Sequence, residues 1–255
     1  MITSFDTIPK DRLMALIRQK VADTRILALI ENFLEQGVLD GDREWTPAQG
    51  TPQGAVVSPL LSNIYLDPLD HLMAERGFAM VRYADDFVVM CRNQEEATAA
   101  LALVKEWTVS AGLTLHPTKT RLVDERKDGF DFLGYHFEAG KRRPRSKSLK
   151  KFRDTIRAKT KRTSGHSMSQ IIADVNRTLL GWFEYFKHSC PKTFRTEDGF
   201  VRRRLRSILR KRSHRKGSAK GNGADQTRWP IAYFAALGLF NLQHAHTAAC
   251  QSSRR

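Results

Sequence analysis

The sequence predicts a mixed helix and strand fold, α+β or α/β, over residues 1–140, and a mostly helical, strongly basic second half. Two observations carry this: helical and strand periodicities alternate in the first half, and helical spacing takes over in the second. A third is the charge, with 14 lysines and arginines against 21 aspartates and glutamates in residues 1–140, and 29 against 6 in residues 141–255, net −7 and +23. The change falls at KRRPRSKSLKK, residues 141–151, which reads as a domain boundary. The second half is then a candidate polyanion binder or a basic, disordered tail.

In chain order, Pro9 is placed to open a helix, and Leu13, Leu16, Ile17 and Val21 follow at helical spacing. TRILALIENFLEQ is a second helix that stops at Gly37. The run DGDREWTPAQGTPQGA breaks the pattern, and SPLLSNIYLDPLDHLMAER resumes it. A strand pair covers residues 83–91, EEATAALALVKEWTVSAG is a helix ending at Gly112, GLTLH is a short strand, and GFDFLGYHFEAGK is a hairpin. Beyond these, SLKKFRDTIRAKTKRT and SMSQIIADVNRTLLGWFEYFKH read as helices, the second with its aromatics Trp182, Phe183, Tyr185 and Phe186 expected in a core. VRRRLRSILRKR is a helix with a narrow apolar stripe of Val201, Leu205, Ile208 and Leu209. KRSHRKGSAKGNGADQ reads as a flexible basic linker and RWPIAYFAALGLFNL as an apolar docking segment. The expected organisation is 1–140, 141–212, 213–228 and 229–255.

At 255 residues and 41% hydrophobic, the chain is long enough for one large domain or two modest ones. It has no run of about 18 apolar residues, and MITSFDTIPK lacks the features of a signal peptide, so a soluble, cytoplasmic protein is expected. Cys91, Cys190 and Cys250 are far apart and form no C-x-x-C pair, which suggests reduced thiols. His188 and Cys190 read as a helix end before Pro191.

In VRYADDFVVM, Asp85 and Asp86 interrupt a run that otherwise suits a buried strand. They could be the tip of a hairpin with both carboxylates in water. Paired carboxylates at a tight turn could equally hold Mg²⁺, a hard ion that takes oxygen ligands and shares them with substrate phosphates.

GTPQGAVVSPLLSNIYL, RYADDFVVM, GLTLHPTKT and FLGYHF stand in this order, and together they resemble bacterial group II intron reverse transcriptases with a maturase extension. GWFEYFKHS, VRRRLRSILRKR and RWPIAYFAALGLF resemble that extension, and nothing like the paired cysteines and histidines of an endonuclease follows Phe240. The resemblance implies an α+β polymerase palm, an antiparallel sheet with packed helices, followed by a helical thumb and maturase domain. It implies that Asp85 and Asp86 hold catalytic Mg²⁺, that Tyr83 and Ala84 lie near the primer end, and that Gln53 and Gly54 line the nucleotide and template site. It further implies Lys119 as a general acid near the triphosphate and Phe132, Gly134 and Tyr135 as support for the primer strand. The implied partners are group II intron RNA and a DNA primer, with Arg202, Arg203, Arg204, Arg206, Arg210 and Lys211 as candidate phosphate contacts.

SFDTIPKDRL matches the tail of the family's first catalytic motif, with Asp6 as its second aspartate. The first aspartate would fall just before Met1, so the resemblance implies an N-terminally truncated chain that is a poor or inactive polymerase by itself. Asp6 does not substitute, because six residues of extended chain span roughly 20 Å. A non-enzymatic RNA-binding splicing cofactor is the alternative, since RNA binding by the basic half does not need the missing carboxylate.

Overall fold

The computed structural model describes residues 8–35, 38–40, 43–45, 57–213 and 223–252. Asp6, Gln53 and Gly54, and residues 214–222 of the basic linker, lie outside the described residues. The fold is α+β, and its chain divides into two compact units, Met1–Leu122 and Val123–Arg255.

In the first unit, α1 (Lys10–Lys20) and α2 (Thr24–Glu35) precede the short antiparallel pair β1 (Val38–Asp40) and β2 (Arg43–Trp45). Helix α3 (Ser58–Glu75) opens with a proline in its first turn, where a missing N–H costs nothing. The hairpin of β3 (Ala79–Tyr83) and β4 (Asp86–Met90) and the helix α4 (Gln94–Ser110) complete the unit. Asn93 caps α4, its side-chain oxygen accepting the Glu96 N–H at 2.8 Å. The core joins Leu13 and Ile17 of α1 to Leu61, Leu66, Leu69 and Met73 of α3 and to Val104 of α4, with Met80, Phe87 and Val89 of the hairpin packed against them. GLTLH does not form a strand; Leu115 alone makes a bridge, and Leu113 is buried in the core.

The second unit begins with a three-stranded antiparallel sheet, β5 (Phe130–Phe132), β6 (Tyr135–Glu138) and β7 (Lys141–Pro144). The sequence suggests only the hairpin; β7 is charged and ends in proline, a composition tolerated on an edge strand. Helices α5 (Ser146–Lys159), α6 (Met168–Phe186) and α7 (Pro191–Arg212) follow. Ser167 and Gln170 form a reciprocal capping box at the start of α6. Helix α7 begins at Pro191 rather than at Val201, so its first turns precede the basic run. The short helices α8 (Gly223–Arg228) and α9 (Ile231–Ala236) and the helix α10 (Leu242–Ser252) close the chain.

The three long helices bury one core, to which Trp229, Phe234 and Leu242 of the C-terminal segment belong. Phe183 and Phe186 are buried and Trp182 packs against this core, whereas Tyr185 stays 55% exposed. Polar pins reinforce the docking. Asn176 on α6 donates to Gly238 O at 2.7 Å and accepts the Phe240 N–H at 2.9 Å.

Buried Asp198 on α7 accepts the N–H groups of Leu242 and Gln243 at 3.1 and 3.0 Å, capping α10 from another helix. Burial pushes its carboxyl above the ordinary aspartate range, against the lowering effect of those two amide bonds. A raised folded-state pKa means that the fold favours the protonated form. Its contribution is complete below the unfolded value of about 3.9 and declines as pH rises through the folded value. Asp198→Asn should therefore flatten the fall in stability above about pH 4, measured by thermal melting across a pH series.

Candidate functional site

The register of the first hairpin pairs Tyr83 with Asp86, which leaves Ala84 and Asp85 as a two-residue turn. Residues directly opposite in an antiparallel pair share a face. Tyr83 and Asp86 therefore lie on one face with Val81, Val88 and Met90, and Met80, Arg82, Phe87 and Val89 lie on the other. The second face packs on the core, and the first is open among the described residues, Tyr83 being 67% exposed.

Ala84 has φ of 53°, in the left-handed region where a two-residue hairpin turn favours glycine or asparagine. Such a conformation costs alanine about 1–2 kcal/mol, and strain of this kind persists where surrounding bonds hold it. The bonds here come from Arg82. Its guanidinium forks onto Asp70 of α3, donates to Asn63 Oδ1 at 2.8 Å and donates to the Ala84 carbonyl at 3.0 Å. The Arg82 side chain is 10% exposed. Arginine thus ties the turn to a core helix. Ala84→Gly is expected to stabilise the chain by about 1 kcal/mol at most, since the gain from relieved φ exceeds the added chain entropy only slightly. A shift in the urea midpoint to higher concentration measures it, and a shift to lower concentration contradicts the strain.

The arrangement also leaves Asp85 and Asp86 half-buried and without an ion pair among the described residues, because the nearby guanidinium is committed to Asp70. Two carboxylates without protein cations at a half-exposed tip are oxygen donors of the type a hard divalent ion takes. Among the described residues no group of three or more His, Cys, Asp or Glu could hold a metal. The pair fits an ion that completes its shell with phosphate and water oxygens, as Mg²⁺ does in nucleotide sites. Arg82, Asn63 and Asp70 were not candidates from the sequence. The available signal was an arginine inside an apolar strand, which requires a partner when buried.

Lys119 belongs to the same unit and stands exposed on a tight turn closed by the Thr120 N–H to His116 O bond of 3.1 Å. Phe132, Gly134 and Tyr135 belong to the second unit. Phe132 pairs with Tyr135 across the turn Leu133–Gly134, both of whose residues have positive φ, 46° and 79°. The tip is held by three acceptor bonds: Tyr185 Oη donates to Leu133 O at 2.8 Å, and the Arg145 N–H and Ser148 Oγ donate to Gly134 O at 2.9 and 3.1 Å. Tyr135 Oη donates to Tyr185 O, and burial pushes its phenol above the usual value.

The basic run on α7 separates into two kinds of side chain. Arg203 and Lys211 are exposed and Arg202 is half-buried. Arg204 is half-buried and donates to Thr160. Arg206 and Arg210 are buried: Arg206 Nε donates to Trp229 O at 2.9 Å and its guanidinium lies over Phe234, while Arg210 Nε pairs with Asp225 at 2.7 Å. These two dock α8 and α9.

Comparison with known proteins gives two family matches, the first of which runs past Leu122 into the second unit. The family described as "Reverse transcriptase (RNA-dependent DNA polymerase)" matches residues 2–137, and "Group II intron, maturase-specific domain" matches residues 149–227. The chain is 31% identical over 196 residues to an uncharacterized 91 kDa protein in the cob intron of Schizosaccharomyces pombe, covering 54% of this chain and 24% of that protein. It is 29% identical over 168 residues to the protein YkfC of Escherichia coli, covering 51% and 43%. It is 41% identical over 71 residues to the group II intron-encoded protein LtrA of Lactococcus lactis, covering 28% and 12%. The chain thus spans less than half the length of each of these relatives. Among the described residues no helix is long and apolar enough to cross a membrane. The chain belongs to the reverse transcriptase family, in the group II intron class that joins the polymerase domain to a maturase-specific domain.

Proposed function

We propose that the chain acts in a group II intron ribonucleoprotein as an RNA-directed DNA polymerase and maturase, taking an RNA template, a DNA primer and Mg²⁺. The observation that carries this is the Tyr-Ala-Asp-Asp tip, strained at Ala84, tied to α3 by Arg82 and left with two carboxylates unclaimed by protein cations among the described residues. Bound Mg²⁺ would lower the pKa of the primer 3′-hydroxyl and neutralise charge on the triphosphate. Asp85 and Asp86 hold the ion, and the open face beside them, with Tyr83, receives the primer end. Lys119 supplies a proton to the leaving group. Gln53 and Gly54 contact the incoming nucleotide and template, and Phe132, Gly134 and Tyr135 support the primer. Primer extension on an RNA template with the purified 255-residue chain tests the reading. Weak template-dependent synthesis that requires Mg²⁺ is expected, because SFDTIPKDRL carries only the tail of the first catalytic motif, and its complete absence would leave the RNA-binding reading below.

A second reading, an RNA-binding splicing cofactor without polymerase chemistry, is favoured by one observation. The maturase match lies wholly within the second unit, which carries the basic helices and has its own core. It predicts salt-sensitive binding of intron RNA in the absence of nucleotide and Mg²⁺, with Arg203 and Lys211 among the phosphate contacts.

A further inference from the structure

Asn63 and Asp70 stand seven residues apart on α3, about two helical turns, and so share one face of it. Arg82 reaches both from β3. Its Nε donates to Asp70 Oδ1 at 2.8 Å and to Oδ2 at 3.1 Å, and its Nη2 donates to Oδ2. Its Nη1 donates to Asn63 Oδ1 at 2.8 Å and to the Ala84 carbonyl at 3.0 Å. A planar guanidinium makes these bonds together because its N–H groups point outward in a fixed fork, whereas a lysine ammonium has a single nitrogen. The tether therefore brings a permanent positive charge to the residue next to Asp85.

That charge conflicts with cation binding at the tip. An uncompensated guanidinium beside Asp85 and Asp86 would act as their counter-ion and repel any metal ion approaching the same oxygens. Water screens it poorly, since the Arg82 side chain is 10% exposed. Asp70 removes the conflict. Its two-point pairing with Nε and Nη2 neutralises the guanidinium from the α3 side and leaves Nη1 for the Ala84 carbonyl. Asp67, the preceding acid of the helix, is engaged by Lys20 at 2.8 Å, which leaves the pairing with Arg82 to Asp70.

We propose that Asp70 is a positioning residue of the metal site: it cancels the charge of the arginine that holds the turn, so that Asp85 and Asp86 take a cation rather than a guanidinium. The proposal rests on the reading of Asp85 and Asp86 as metal ligands and adds the residue that keeps them available. Tb³⁺, a hard ion that takes carboxylate oxygens, is the probe, its luminescence sensitised by Tyr83, which pairs with Asp86 across the hairpin. The full chain is titrated at low ionic strength, and Asp85→Asn/Asp86→Asn defines the signal that belongs to the tip. Asp70→Asn keeps an acceptor oxygen for the fork and loses the negative charge. It should bind Tb³⁺ about tenfold more weakly, because a trivalent ion and one elementary charge roughly 10 Å apart in water repel by that much. The ratio to wild type should shrink in about 0.5 M KCl, where exposed charges are screened within a few ångströms. Asp70→Asn/Arg82→Gln removes both charges, leaves two amides that can hydrogen-bond, and should recover most of the affinity. If the tip binds Tb³⁺ and Asp70→Asn binds it as tightly as wild type, or if the loss persists in the double variant and at high salt, Asp70 has no such role and the metal reading stands. A wild-type titration that matches Asp85→Asn/Asp86→Asn would overturn both.

Discussion

Asp85→Asn should reduce RNA-templated primer extension by about a thousandfold while leaving the circular dichroism spectrum and RNA affinity as they are. A bound divalent ion contributes several kcal/mol of charge stabilisation to in-line displacement, and about 4 kcal/mol corresponds to three powers of ten in rate. Asparagine keeps the size of the side chain and removes the charge that an ion requires. The fold should tolerate this, because the Asp85 side chain makes no ion pair among the described residues and the turn is held by the Arg82 bond to Ala84 O. An unchanged RNA affinity would separate the proposed metal site from the basic helices. A variant that loses activity and structure together would assign Asp85 a role in folding instead.

Asp225→Ala should destabilise the second unit by about 3–5 kcal/mol, because it leaves Arg210 buried without its carboxylate. The pair is closed from water, with side-chain exposures of 9% and 0%, and it fastens α8 to α7. The thermal transition of that unit should fall by about 10 °C or more. Replacing both partners by apolar side chains, Arg210→Met/Asp225→Leu, should recover most of the loss, since the pair's attraction is largely offset by the cost of dehydrating two charges. A single variant that melts within a degree or two of the wild type would show that water reaches Arg210.

Much of the local structure was legible because its causes are local. Apolar spacing placed α1, α2, α3, α4 and α6, and the run around Asp85 and Asp86 reads as a hairpin because two strand-like segments flank a short polar break. The charged strand β7 was not legible, since its place comes from pairing with β6 rather than from its own composition. The first turns of α7, Pro191 onward, were hidden by a polar stretch whose buried members, Phe194, Glu197 and Asp198, are far from a simple apolar stripe. GLTLH alternates like a strand, yet its leucines serve the core without a ladder.

Periodicity, turn chemistry and motif order are written along the chain, so the order of elements, the family resemblance and the carboxylates at the turn are legible from it. Which charges remain available depends on packing between distant segments. Arg203 faces water while Arg206, three positions on, is buried against Trp229 and Phe234, and Arg82 is paired with Asp70, so that Asp85 and Asp86 have no ion pair among the described residues. Burial and ion pairing depend on what another segment brings to the same place, and no spacing rule within a single helix or strand contains that information.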